Sequence, residues 1–151
     1  MASDGIAAQF TELNQLYKEE ESIYHELAAA AGLSDAAHWI LYSICRSEKR
    51  LSQFELCDML SCSKQTVNSA VSSLARLDYI ELAADAGKRK EIRLTQKGRA
   101  LCRRSIQPLI EAEEEAFAQF SGAEREQFLS LFRRMLAALR HTTAPILDIK
   151  P

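Results

Sequence analysis

The feature that most constrains this chain is a change of hydrophobic period in its middle. From Ser52 to Leu77 the apolar residues recur at helical steps in two short runs, and from Tyr79 to Leu94 they alternate. Ser52-Gln53-Phe54-Glu55 fits a capping box, in which the serine oxygen accepts from the amide three residues on and the glutamate reaches back to the serine amide. The helix that follows has Phe54, Leu56, Met59 and Leu60 as its apolar face. Ser61-Cys62-Ser63 makes a brief turn, and Ser63 caps a second helix whose inner face is Val67, Ala70 or Val71, Leu74 and Leu77. Two short helices joined by three residues form a helix-turn-helix. Tyr79-Ile80-Glu81-Leu82 and Glu91-Ile92-Arg93-Leu94 then read as strands. Between them, Ala83 to Lys90 holds Asp85, Gly87 and three consecutive cations, which predicts a β-hairpin with a basic tip.

Long helices flank this centre. From about Asp4 to Ala31, Ile6, Phe10, Leu13, Leu16 or Tyr17, Tyr24 and Leu27 recur every three or four residues, and Gly32 supplies a left-handed stop. Ser34-Asp35 caps a helix carrying Trp39, Leu41, Tyr42, Ile44 and Cys45, apolar around most of its circumference and so expected between other elements. Thr95 caps a long helix reaching about Phe120, which Pro108 should kink or interrupt because it lacks a backbone donor. Ser121-Gly122-Ala123-Glu124 repeats the capping box and opens a last helix with Phe128, Leu131 or Phe132, Met135 and Leu139. The two ends carry more apolar positions than the centre can cover. At about 25 cal/mol per Å² of apolar surface left in water, a second subunit is the natural cover.

The net charge of −2 conceals a segregation. From Arg46 to Arg104 there are 13 Lys and Arg against 7 Asp and Glu, net +6, while the rest has 6 against 14, net −8. A basic block attracts phosphate backbones by Coulomb forces and counterion release, so the middle is where nucleic acid would bind. The acidic run Glu111, Glu113, Glu114, Glu115 reads as a solvated face. No apolar run reaches the ~18 to 20 residues of a membrane span, and Met1-Ala2-Ser3-Asp4-Gly5 does not resemble a signal peptide, so a cytoplasmic protein is expected. Cys45, Cys57, Cys62 and Cys102 form no C-x-x-C pair. Reduced thiols are therefore expected, with no metal and no cofactor. The chain has no G-x-S-x-G, P-loop or H-E-x-x-H motif and only five glycines, which points away from an enzyme.

On the second helix of the pair, Lys64, Gln65, Thr66, Asn68, Ser69, Ser72, Ser73 and Arg76 face away from the apolar stripe, with Ser63 at its start. All are hydrogen-bonding groups and none is acidic, as insertion into a major groove requires. Gln and Asn can pair bidentately with adenine, and Lys can reach guanine acceptors. Lys88, Arg89 and Lys90 at the hairpin tip would reach phosphates or a narrow minor groove. A small-molecule pocket could draw on Tyr24, His38, Trp39 and Tyr42, which bring aromatic walls and polar tips, although the favoured reading places all four in the core or at the dimer interface. His38 has no ligand partner at helical spacing, only the distant His25, and His141 has none in view.

The stretch Leu33 to Arg104 resembles the winged-helix core of the MarR family of multiple-antibiotic-resistance regulators. The resemblance is carried by Leu51-Ser52-Gln53-Phe54-Glu55-Leu56, Ser63-Lys64-Gln65-Thr66-Val67-Asn68, Leu74-Ala75-Arg76-Leu77-Asp78-Tyr79-Ile80 and Ile92-Arg93-Leu94-Thr95-Gln96-Lys97-Gly98. It implies a mainly α fold with a small β-hairpin, and a homodimer whose terminal helices interlock. It also implies two winged domains on adjacent major grooves of double-stranded DNA, and usually repression relieved by a small anionic or aromatic effector. Ser63, Lys64, Gln65, Thr66, Asn68 and Ser69 fall on its recognition helix, and Lys88 and Arg89 on its wing. The chain departs from the family at Ser69, where many members have Arg, and at Ala86-Gly87-Lys88-Arg89, where many have Asp-x-Arg.

The expected organisation is a dimerisation helix over 1–32, a winged helix-turn-helix over 33–98 and further dimerisation helices over 99–151. Two other readings stand beside a ligand-responsive repressor on a palindromic operator. One is a thiol-based regulator using Cys57 or Cys62, which flank the helix-turn-helix. The other is a winged helix that binds a partner protein.

Overall fold

The computed structural model describes residues 2–84 and 90–147. The elements run α1 (Ala2–Ala30), α2 (Asp35–Arg46), β1 (Leu51–Ser52), α3 (Gln53–Leu60), α4 (Lys64–Arg76), β2 (Ile80–Ala84), β3 (Lys90–Leu94), α5 (Gln96–Leu101), a π-helical turn (Cys102–Ile106), α6 (Gln107–Ala118) and α7 (Gly122–Leu147). They fall into two compact units, residues 1–109 and 110–151.

In the first unit the chain builds its core from one residue or a few per element. Ile40 and Leu41 of α2, Leu56 of α3, Val67, Val71 and Leu74 of α4, Leu101 of α5 and Ile106 of the π turn are all buried. α2 lies against both α4 and the π turn, which makes it the central helix. Its buried face is Ala37, His38, Ile40, Leu41 and Ser43, while Trp39, Tyr42, Ile44 and Cys45 are half-buried. The expected burial therefore holds for about half of its circumference. Gly32 ends α1 region at φ +72°, and Ser34 accepts from the Ala37 amide to start α2.

The sheet has three antiparallel strands in the order β1-β3-β2. The expected hairpin is present, with Ile80 opposite Leu94 and Leu82 opposite Ile92. Leu51 and Ser52 add a third strand opposite Ile92 and Glu91, which two residues are too few to reveal by alternation. The hairpin tip, with Asp85, Gly87, Lys88 and Arg89, lies outside the described residues.

Two expectations are corrected, and the break expected at Pro108 takes a definite form. On α3 only Leu56 is buried, and Phe54 and Met59 are 68% and 54% exposed, because a helix of eight residues presents little more than one contact to the core. Leu77, placed on the inner face of α4, is exposed because it is the C-cap, where the chain turns out of the helix. The helix from Thr95 does not run unbroken to Phe120. It widens into the π turn, where the Gln107 amide donates back to the Cys102 carbonyl, immediately before Pro108. Proline offers no amide and crowds the carbonyl four residues back, and a wider turn relieves that clash.

The second unit has a Phe cluster and a long helix. Phe117, Phe120, Phe128 and Phe132 stand with neighbouring ring centres 6.1 to 6.4 Å apart. No residue of α7 is buried, and Phe128, Leu131, Leu136, Leu139, Ile146 and Leu147 are exposed. In the first unit, α1 likewise buries Ala28 and exposes Ile6, Phe10, Leu16, Ile23 and Leu27. Among the described residues, no helix is long and apolar enough to cross a membrane.

Both capping boxes form. The Ser52 amide and hydroxyl donate to the Glu55 carboxylate at 2.8 Å, and those of Ser121 donate to Glu124 at 2.8 and 2.7 Å. These bonds hold both carboxylates below the ordinary range, through chiefly the backbone amide at Glu55 and chiefly the hydroxyl at Glu124. The unfolded chain then takes up protons first on acidification. The caps' contribution is complete above the ordinary carboxylate range and is lost as pH falls through it towards the lower folded values. In a Glu55→Gln, Glu124→Gln double variant, thermal midpoints followed from neutral to acid pH should fall less steeply than those of the parent.

Glycine geometry gives a second test. A Cβ on Gly98 would lie 1.8 Å from the Tyr79 carbonyl oxygen, whereas one on Gly5 would meet nothing within 4 Å. Gly98→Ala should cost about 3 kcal/mol or more in denaturant unfolding. Gly5→Ala should be neutral or stabilising by no more than ~1 kcal/mol.

Candidate nucleic-acid interface

The burial of Val67, Ala70, Val71 and Leu74 fixes the rotation of α4, so the opposite face must point outward. Lys64, Gln65, Thr66, Asn68, Ser69, Ser72 and Arg76 are exposed, and Ser73 is half-buried. The structure therefore brings the residues selected on α4 onto one side of that helix. Along α4 that surface has no carboxylate.

The start of α4 is polarised. Ser63 accepts from the Thr66 amide at 3.1 Å, and the two side-chain oxygens share a hydrogen bond of 2.8 Å. Ser63 is thus the N-cap, and its hydroxyl is bound to the helix it starts. The remaining amides of the first turn face outward with a partial positive charge, and no acidic residue occupies that turn. Lys64 stands there instead, a cation at the positive end of a helix dipole. The arrangement disfavours the helix by a few tenths of a kcal/mol, roughly, and favours an anion outside it.

A shallow open groove runs beside α4. It is lined by Gln65, Thr66, Ser69, Ser72, Ser73 and Arg76 on one side and by Ser34 and Ala36 at the start of α2 on the other. The hairpin follows α4 after a reversal at Asp78, whose φ is +60°. Lys90 is exposed at the start of β3. Next along the strand, Glu91 is bracketed by Arg50 at 3.1 Å and Arg93 at 3.7 Å, so its single negative charge is shared between two cations.

The four aromatic candidates divide. The ring of Trp39 lies 4.8 Å from that of Tyr24 and 5.2 Å from that of Tyr42, centre to centre. Tyr24 and Trp39 line an open groove on α1 and α2 with Lys18, Glu21, His25 and Asp35, where His25 Nδ1 sits 2.9 Å from Asp35. His38 meets Trp39 edge-on, with ring centres 6.3 Å apart, and is buried in the core. Among the described residues, no three His, Cys, Asp or Glu side chains are grouped to hold a metal ion.

Two features escaped the sequence reading. Cys45 of α2 and Cys102 of the π turn share a hydrogen bond, which lowers the Cys45 thiol and raises that of Cys102. They are 57 positions apart in the chain, so no spacing rule links them, whereas Cys57 and Cys62 remain separate and half-buried. The other feature is the fastening of the end of α4 onto the start of α5. Thr95-Gln96-Lys97-Gly98 was visible in the sequence as a motif, but its partners were not.

Comparison with known proteins agrees with this geometry. Residues 31–91 match the sequence model of the MarR family. No curated protein sequence matches the chain. Among solved structures, the chain is similar to NMB1585, described as a MarR family regulator from Neisseria meningitidis, with a TM-score of 0.72 and 21% identity over 93% of this chain and 99% of that one. It is also similar to MepR of S. aureus in a structure described as a MepR–DNA complex, with a TM-score of 0.68 and 21% identity over 85% and 96%. A third relative in fold is a MarR transcriptional regulator from Methanosarcina mazei Go1, with a TM-score of 0.62 and 21% identity over 85% and 86%.

Proposed function

We propose that this chain, whose winged helix is of the MarR family, is a transcription regulator that binds double-stranded DNA as a homodimer on a two-fold symmetric site. The observation that carries the reading is the outer face of α4, a helix of thirteen residues with no carboxylate and a cation at the start. In this reading α4 enters the major groove. Gln65, Asn68 and Ser69 read base edges while Ser63, Lys64, Thr66, Ser72, Ser73 and Arg76 serve phosphates or bases. Lys88, Arg89 and Lys90 at the hairpin tip approach phosphates or the minor groove. The solved complex of MepR with DNA supports the same use of the fold.

The dimer rests on the apolar faces left open by α1 and α7. Residues 1–32 and 99–151 would supply the interface, and 33–98 the DNA-binding part. Charge is segregated along the chain, net +6 from Arg46 to Arg104 and net −8 elsewhere, and in this reading the basic stretch faces the duplex. Repression in the cytoplasm, with release when a small effector occupies the groove at Tyr24 and Trp39, completes the proposal. No enzymatic step is part of it.

Lys64→Ala should lower affinity for duplex DNA and reduce the slope of log K against log salt by about 0.9, with thermal stability equal or slightly raised. Arg89→Ala should lower the slope by a similar amount. If neither variant changes binding to any duplex at low salt, the proposed surface is wrong. Sedimentation should show a dimer at micromolar concentration, and the bound site should contain half-sites about 34 Å apart. A monomer would remove the basis for a palindromic site.

A further inference from the structure

Three successive carbonyls at the end of α4 are all taken by one short segment. Lys97 Nζ donates to the Leu77 carbonyl at 2.8 Å, Thr95 Oγ1 donates to that of Asp78 at 2.6 Å, and the Thr95 amide donates to that of Tyr79 at 3.1 Å. The left-handed Asp78 reverses the chain, so that the carbonyls face the start of α5. Thr95 accepts in turn from the Gly98 amide at 2.9 Å. Gly98 packs so closely on the Tyr79 carbonyl that no Cβ fits. A displacement at the start of α5 must therefore be followed by the end of α4.

We propose that Thr95, Lys97 and Gly98 form a positioning clasp that sets how α4 is presented to DNA, with Lys97 acting through the Leu77 carbonyl and not on a phosphate. The proposal rests on the DNA-binding reading above. Lys97 is an exposed cation in the basic centre, and charge alone would count it among the phosphate contacts. Its ammonium is instead engaged within the protein, on the helix-end carbonyl and 4.8 Å from the centre of the Tyr79 ring. A cation on the last carbonyls of a helix also complements the negative end of its dipole. Thr95 holds by its amide and hydroxyl, and Gly98 by an approach that admits no Cβ. Lys97 holds by a side chain alone, which makes it the adjustable member.

The test compares the full chain with Lys97→Met and Lys97→Arg. Methionine keeps an apolar stem over Tyr79 and removes the donor, whereas arginine keeps donor and charge. Binding to a duplex selected by the parent protein is measured as a function of salt. Lys97→Met should bind about fivefold to tenfold more weakly with the salt slope unchanged, and Lys97→Arg should recover most of the loss. Unchanged affinity of the folded Lys97→Met protein overturns the proposal. So does a slope lowered by about one unit, which would make Lys97 a phosphate contact. A second readout needs no DNA: amide exchange at Leu77 to Tyr79 should accelerate in Lys97→Met while Val67 to Val71 stays protected. If the parent protein binds no duplex at low salt, the DNA reading fails by itself. Unchanged exchange at Leu77 to Tyr79 would then overturn the clasp separately.

Discussion

The structure depends on the burial of one side of α4 against the central helix α2. Val67, Ala70, Val71 and Leu74 are withdrawn from water beside Ile40 and Leu41, and each large side chain so buried is worth about 1.5–3 kcal/mol. That burial leaves α4 no rotational freedom. Its polar face is then held outward as a fixed array, and the groove beside it acquires its second wall from Ser34 and Ala36. Folding thus fixes the backbone positions of those side chains, while the ordering of their exposed rotamers is still a cost on binding.

Charge adds direction to this rigid array. The first turn of α4 combines outward amides with Lys64, so its electrostatics favour an external anion even at some loss to the helix itself. Glu91 engages Arg50 and Arg93, and Lys97 is turned onto the protein's own backbone. The cations of the basic centre are thus unequal. Some fasten the fold, while Lys64 and Arg76 stand exposed on the outer face of α4.

Much of this was legible in the sequence, for physical reasons that can be assigned. The caps at Ser34, Ser52, Ser63, Thr95 and Ser121 are local hydrogen bonds across three residues, so spacing alone reveals them. The outer face of α4 follows from a strict apolar stripe. What spacing could not show was contact between distant segments: the pairing of Leu51 with Ile92, the thiols of Cys45 and Cys102, and the fastening of Lys97 to Leu77. Phe54 and Met59 misled because an apolar residue at helical spacing was taken as a buried one, although a short helix can bury only part of its apolar side. Pro108 gave the right place for a break without its form, a π turn.

The central claim, that the outer face of α4 reads DNA, is tested most directly by photocrosslinking from single positions. A photoreactive residue at Gln65 or Ser69, with the duplex bound, should crosslink to bases at two places about one helical turn apart, and one at Leu139 on α7 should give no crosslink. Crosslinks from α7, with none from Gln65 or Ser69, would contradict the account.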